Sequence, residues 1–265
     1  MPGVSSSRFA VAAVGVALLL GAAGAAVLRD RPDGGSPSGE AGGATRGTVV
    51  SQAVAGDVRV VPLPQVVDRD TVGPLWLTPE DRTAGVLALD VPQAASGVLD
   101  VVPGADPAPP GTAPVRSVRV EVERGLAVDG PAFAAVVMAA LNDPRGWGAR
   151  GEVSFARTDG PADVRVVLAS PSTVDALCAP LPTRGEVSCG RNGHAALNAR
   201  RWVQATPEFA DRTLYRQYLV NHEVGHLLGH PHEPCPGGGQ VAPIMQQQSL
   251  RVAPCTANAW PFPQG

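Results

Sequence analysis

The chain contains no lysine; all 21 of its basic residues are arginine, and they are spread without a run that could track a phosphate backbone. Set against 24 acidic residues they leave a net charge of −3, so no nucleic-acid partner is expected. Isoleucine occurs once, at Ile244, and aromatic residues make up only 4% of the chain. Alanine and valine dominate the apolar set instead. With 31 glycines and 27 prolines, this bias reads as the mark of a GC-rich genome, so Ala- or Gly-rich stretches by themselves say little about function. No CxxC pair occurs, which removes zinc-ribbon and thioredoxin-like redox motifs. No internal repeat is found. At 265 residues, the chain has room for one main domain with appendages.

What is present begins with Phe9 to Leu28, FAVAAVGVALLLGAAGAAVL, twenty consecutive apolar or small residues. As a helix this stretch would reach about 30 Å, the thickness of a bilayer core. Arg8 precedes it, and Arg29, Asp30 and Arg31 follow. The length suits a single transmembrane anchor after a cytoplasmic tip of residues 1–8. The alternative is a cleaved signal segment, to which Ala22, Ala23, Ala25 and Ala26 would supply the small residues a signal peptidase needs. Either reading exports the remainder, placing the C-terminal domain outside the cytoplasm on a single-pass membrane anchor or, after cleavage, in secreted form. Residues 29–75 read as a linker or stalk. RPDGGSPSGEAGGATRG, Arg31 to Gly47, carries too little apolar surface to order itself. The valine-rich, proline-broken pieces between Thr48 and Pro74 can be read either as more stalk or as an added edge strand.

Residues 76–265 have a globular pattern. Strands are expected at Ser96 to Val102, at Val115 to Glu123, whose VRSVRVEVE alternates apolar and charged residues, at Val153 to Arg157, at Val164 to Ala169 and at His194 to Val203. Helices are expected at Pro131 to Leu141, opened by proline and stopped by Asn142, Asp143 and Pro144, and at Pro171 to Leu177. A late helix runs from a cap at Asp211 to Gly229. This order implies an α+β domain with a mixed sheet and one late helix packed beneath it. The four cysteines, Cys178, Cys189, Cys235 and Cys255, read most simply as two disulfides in an oxidising compartment. The sequence-local pairing, Cys178 with Cys189 and Cys235 with Cys255, is favoured over the other two; four free thiols are the alternative.

The chemistry concentrates in NHEVGHLLGHPHEPC, Asn221 to Cys235, which holds four of the five histidines. On a helix His222 and His226 lie one turn apart on one face, with Val220, Val224 and Leu227 on the other, so both imidazoles can reach one point. Glu223 lies beside the first, giving HExxH, and the pattern continues as HExxHxxGxxH. Gly229 can take the left-handed conformation that ends a helix, and Pro231 cannot continue one. The turn can therefore swing His232 back. Three neutral imidazoles on one tetrahedral Zn²⁺ leave a fourth position for water, whose pKa falls to about 7, and Glu223 is within reach as general base. A structural zinc, His230 as the rival third ligand, or an HxH pair of His230 and His232 are the competing readings. His194 lies outside the cluster as a strand or surface histidine. Tyr215 and Tyr218 read as core residues under the site.

At His222, Glu223, His226, Gly229 and His232 the sequence resembles the metzincin metallopeptidases. APIMQ offers Met245 for the methionine turn that this group places beneath its metal; otherwise Met245 is an ordinary core methionine. From about Val91 to Phe262 the chain is more loosely similar to exported actinobacterial zincin-like domains. The resemblance implies a zincin fold, with a mixed, mostly parallel sheet and an antiparallel edge strand packed on a long helix. It further implies a zinc endopeptidase with one catalytic Zn²⁺, whose peptide or protein substrate lies along an edge strand; the chain is expected to be monomeric. His194 to Val203 is the candidate strand. One position departs from the pattern: where some metzincins carry a tyrosine two residues after the turn methionine, this chain has Gln247. A non-catalytic zinc-stabilised surface module and a cell-wall peptide hydrolase remain the other functional readings.

Overall fold

The computed structural model describes residues 76–265. The apolar segment Phe9 to Leu28 and the linker lie outside the described residues, and among the described residues no helix is long and apolar enough to cross a membrane. Six strands, β1 (Leu99–Val101), β2 (Val115–Glu123), β3 (Ser154–Arg157), β4 (Val164–Ala169), β5 (Cys189–Arg191) and β6 (His194–Asn198), form one sheet. The order is β1-β2-β4-β6-β5, with β3 paired to the first half of β2. The β2–β3, β2–β4 and β4–β6 pairs are parallel, while β1 and β5 close the two ends in antiparallel pairing. The fold is therefore α+β with a mixed, mostly parallel sheet.

Period-two alternation sends successive side chains to opposite faces of this sheet. Val118, Val120, Val166, Leu168, Ala195 and Leu197 enter the larger core. That core is covered by α2 (Gly130–Leu141) and α5 (Arg212–Leu227). Val167, Ala169 and Ala196 enter a smaller core with Val174 and Cys178 of α3 (Pro171–Cys178). The charged face of β2 is not solvated as simple alternation suggests. Glu123 is fully buried and accepts hydrogen bonds from the Gly97 and Ser170 N–H groups at 2.7 Å and from Thr173 Oγ1 at 2.8 Å. Those bonds seat the start of α3 and the segment leading into β1. α2 begins where the sequence indicates, one residue ahead of Pro131, with the Asp129 side chain accepting from the Ala132 N–H.

The strand expected from His194 to Val203 exists only as far as Asn198. Asn198 then accepts a hydrogen bond from the Arg200 N–H at 3.0 Å and caps α4 (Ala199–Gln204). The apolar neighbours Leu197 and Ala199 hide this switch, because a capping asparagine between them looks like one polar position of a strand. The edge assignment changes as well. β6 lies between β4 and β5, so the strand at that edge of the sheet is β5.

One ionic cluster joins distant parts of the chain. Asp81, in α1 (Pro79–Thr83), binds Arg216 of α5 through Oδ1 at 2.6 Å and Arg212 through Oδ2 at 2.6 Å. Asp81 and Arg216 are 0% and 1% exposed. Arg216 Nε also donates to the Trp202 carbonyl in α4 at 2.8 Å. The Asp81 and Thr78 side chains each bond the other's backbone N–H, so the same carboxylate caps α1 and anchors α5. Removing it strands a buried guanidinium, so Asp81→Ala should cost about 3–5 kcal/mol in urea unfolding. Burial pushes the Asp81 carboxyl up, but the hydrogen bonds from Arg216 and the Thr78 N–H and the two arginine charges outweigh it and hold the group below the usual aspartate value. Stability from a carboxyl lowered in this way is present above its unfolded pKa and is lost as pH falls through the folded one. Below about pH 4 the wild type should therefore lose stability more steeply than Asp81→Asn. Parallel pH profiles would remove Asp81 from this account.

Candidate metal centre

α5 starts on Asp211, whose side chain accepts from the Thr213 N–H at 2.7 Å. It ends in a two-bond C-terminal turn: the Gly229 N–H bonds the His226 carbonyl at 3.1 Å, and the His230 N–H bonds the Gly225 carbonyl at 3.0 Å. This is the Schellman arrangement, and it requires Gly229 in the left-handed region, at φ 96°. The chain then reverses and brings His232 back to the helix. The ligand-capable nitrogens of His222, His226 and His232 all lie within 4.8 Å of one another. His226 Nε2 and His232 Nε2 are 3.1 Å apart.

These residues fit a metal ion. A carbonyl oxygen can only accept, so the bonds from His222 Nδ1 to the Ile244 carbonyl at 2.8 Å and from His226 Nδ1 to the His230 carbonyl at 2.9 Å place the ring proton on Nδ1. Each Nε2 is then a free lone pair. Two nitrogens on one tetrahedral zinc stand about 3.3 Å apart, given metal–nitrogen bonds of about 2.0–2.1 Å, close to the His226–His232 separation. Burial pulls His222 down to about 3, and burial likewise lowers His226 and His232. All three rings are therefore neutral near pH 7, the form a metal requires.

Glu223 is buried, and its carboxylate has no hydrogen-bond or ion-pair partner among the described residues. Burial alone pushes it up to about 8. A carboxyl poised this way beside three imidazoles can hold or release a proton near neutrality, and a bound cation would favour its ionised form.

The loop after His232 grips the cluster from below. The Gln246 N–H bonds the Pro243 carbonyl at 3.0 Å, closing a turn that aims the Ile244 carbonyl at His222. The Met245 carbonyl accepts from the Glu233 N–H at 3.1 Å, next to His232. This turn thus touches both the first ligand and the chain carrying the third. Tyr218 locks it, donating to the Gln246 carbonyl and accepting from the Gln248 N–H, both at 2.9 Å. Buried Gln248 ties it onward to Asn258. The Met245 side chain is fully buried against Gly225, where an added Cβ would stand 2.6 Å from Sδ and 2.9 Å from Cζ2 of Trp147.

His230 is not in the cluster. Its ring stacks on Trp147 with centroids 4.3 Å apart, and its part at the centre is the carbonyl that orients His226. His194 is buried in β6 with Nε2 against the Leu177 carbonyl, away from the site. Both sequence-local disulfides are formed. Cys178–Cys189 ties the end of α3 to β5, and Cys235–Cys255 brackets the Met245 turn.

A cleft of about 680 Å³ opens over the cluster. β5 and residues 181–188 line it on one side, and α5 with Gln247, Ser249 and Leu250 on the other. β5 lies directly on α5: a Cβ on Gly190 would stand 2.0 Å from the Glu223 carbonyl oxygen. Gly190, Gly225 and Trp147 are the residues that motif reading passes over, although the unusual glycine inside HEVGH is a visible signal.

Gly225→Ala should overpack the Met245 turn, lowering stability by about 1–3 kcal/mol and weakening Co²⁺ binding followed by its visible spectrum; an unchanged spectrum and melting point would show that the contact yields freely. Opening the Cys235–Cys255 loop, worth about 3 kcal/mol for a closure of this size, should loosen the His232 segment and speed loss of bound Zn²⁺ to a chelator. Equal loss rates in the Cys235→Ser/Cys255→Ser variant would sink that link.

No curated protein and no solved structure matches this chain. The sequence family described as "Protein of unknown function (DUF3152)" matches residues 87–263, which include the sheet, the three histidines, Glu223 and both disulfides; the chain belongs to that family.

Proposed function

We propose that this protein is an exported zinc metallopeptidase of zincin type that hydrolyses peptide bonds in the cleft above His222, His226 and His232. The observation that carries the reading is the convergence of three neutral imidazoles and one buried, unpartnered carboxyl at the foot of an open cleft bounded by a sheet edge. Closed structural zinc sites use four protein ligands; here three converge, and the open side faces the cleft. The two disulfides support an extracytoplasmic location, with Phe9 to Leu28 as the membrane anchor or, if cleaved, as the signal of a secreted form.

The three Nε2 atoms would hold the zinc. When bound, the ion supplies Lewis acidity, which makes water a usable nucleophile near neutral pH. Glu223 Oε would take a proton from the attacking water as its oxygen adds to the scissile carbonyl carbon, and would return that proton to the amine nitrogen as the C–N bond breaks. His222 and His226 stay oriented throughout by the Ile244 and His230 carbonyls. The outer edge of β5 has no strand partner among the described residues, so its backbone groups can align an extended peptide by strand addition. β5 replaces His194 to Val203 in this role. Met245 supports the turn from below, as the metzincin resemblance implies. Gln247, at the departing position, lines the cleft with its side chain exposed.

The test is zinc content per chain together with hydrolysis of a peptide library by wild type and Glu223→Ala. One zinc in both proteins and a loss of about 10²–10⁴-fold in turnover for the variant are expected. Equal turnover would refute the mechanism, and full zinc without cleavage by either would favour a binding module.

A further inference from the structure

The cleft wall formed by residues 181–192 carries three charged side chains, Arg184, Glu186 and Arg191, and two of them have polar partners. Glu186 is neutralised by Arg201 at 2.5 Å and Arg200 at 3.6 Å. Arg191 Nη1 donates to the Cys178 carbonyl at 3.0 Å, covering the C-terminal end of α3, where a cation is favoured. Arg184 is different: it is exposed, lines the cleft, and has no hydrogen bond or ion pair among the described residues.

Its backbone is held in place as well. Arg184 has φ 56°, the left-handed region that arginine seldom occupies. Both neighbours are pinned to one carboxylate, since Asp175 Oδ1 accepts from Thr183 Oγ1 at 2.5 Å and from the Gly185 N–H at 2.7 Å. The Glu186 N–H closes the turn on the Thr183 carbonyl at 2.9 Å. A strained residue that its surroundings over-determine, with its charge unspent and facing a cleft, is the pattern of a ligand contact. The same cleft also presents exposed apolar side chains, Leu181 on the loop of Arg184 and Leu250 on the opposite wall, after the Met245 turn.

We infer that Arg184 is a specificity-determining residue that selects peptides carrying an acidic side chain next to a bulky apolar residue, the carboxylate pairing with its guanidinium and the apolar group covering Leu181 and Leu250. This rests on the reading that the cleft takes a peptide. Concave walls strengthen such a charge contact relative to a flat surface, and raised salt weakens it.

The experiment uses the full-length, zinc-loaded Glu223→Ala protein, so that peptides are not consumed, and measures anisotropy of fluorescent leucine-containing peptides that differ only by Glu, Gln or Lys at each scanned position. At one or more positions Glu should bind about three- to tenfold tighter than Gln, with Lys weakest and the gap shrinking in salt. Arg184→Glu should reverse the order. Arg184→Gly, which the left-handed backbone favours, should erase the preference while keeping or raising the melting temperature, so loss of fold cannot imitate the effect. An order that is absent from the start, or unchanged in both variants, overturns the inference. Cleavage by wild type without any acidic preference would sink this inference and leave the peptidase reading standing; acidic preference in binding with no cleavage by wild type would do the reverse.

Discussion

The centre depends on two hydrogen bonds made by the backs of imidazole rings. His222 and His226 are placed one turn apart by the helix, but helical spacing fixes only where the rings start. The Ile244 and His230 carbonyls fix which nitrogen carries the proton and where the other points. Those carbonyls come from segments that the helix does not control: a turn 22 residues downstream of His222 and the first residues beyond the helix end. Much of the C-terminal structure can be understood as holding them still. The Schellman turn at Gly229 sets the His230 peptide, Trp147 stacks on its ring, and Tyr218, Gln248 and Asn258 secure the turn that contains Ile244.

The opposite end of α5 is fixed by a different kind of force. Asp81 and Arg216 form a buried ion pair, with Arg212 at its margin, so the N-terminal half of the helix is located by charge and the C-terminal half by close packing on Gly225. Around the imidazoles, burial keeps every ring neutral and leaves Glu223 with a raised affinity for protons. The helix therefore separates two electrostatic regimes along its length: one in which ionisation is stabilised by a paired charge, and one in which it is suppressed in the absence of a cation.

How much of this could be read in the sequence follows from the range of each interaction. The helix, its glycine stop, the returning His232 and both disulfides depend on residues close together in the chain, and their spacing announces them. β2, β4 and α2 carry strong periodic or terminal signals and lie where these signals indicate. β5 has three residues, one of them Gly190, and is too short for any period to register. Its place at the edge comes from the antiparallel turn to β6 and from the absence of a side chain that would collide with α5. Asn198 looks like a strand position until the Arg200 N–H is seen to need a cap. The Asp81–Arg216 pair links residues 135 positions apart, and no local pattern distinguishes either partner from an ordinary surface charge.

The short spans of the two crosslinks also bear on how the thiols find each other. Their sequence separations are 11 and 20, and any other pairing of the four cysteines must close loops several times longer, at about 0.6 kcal/mol for each doubling of loop length. Chain statistics in the unfolded protein thus already favour the partners found in the folded one. Oxidation and folding then pull in the same direction, and each wall of the cleft can be stapled independently of the other.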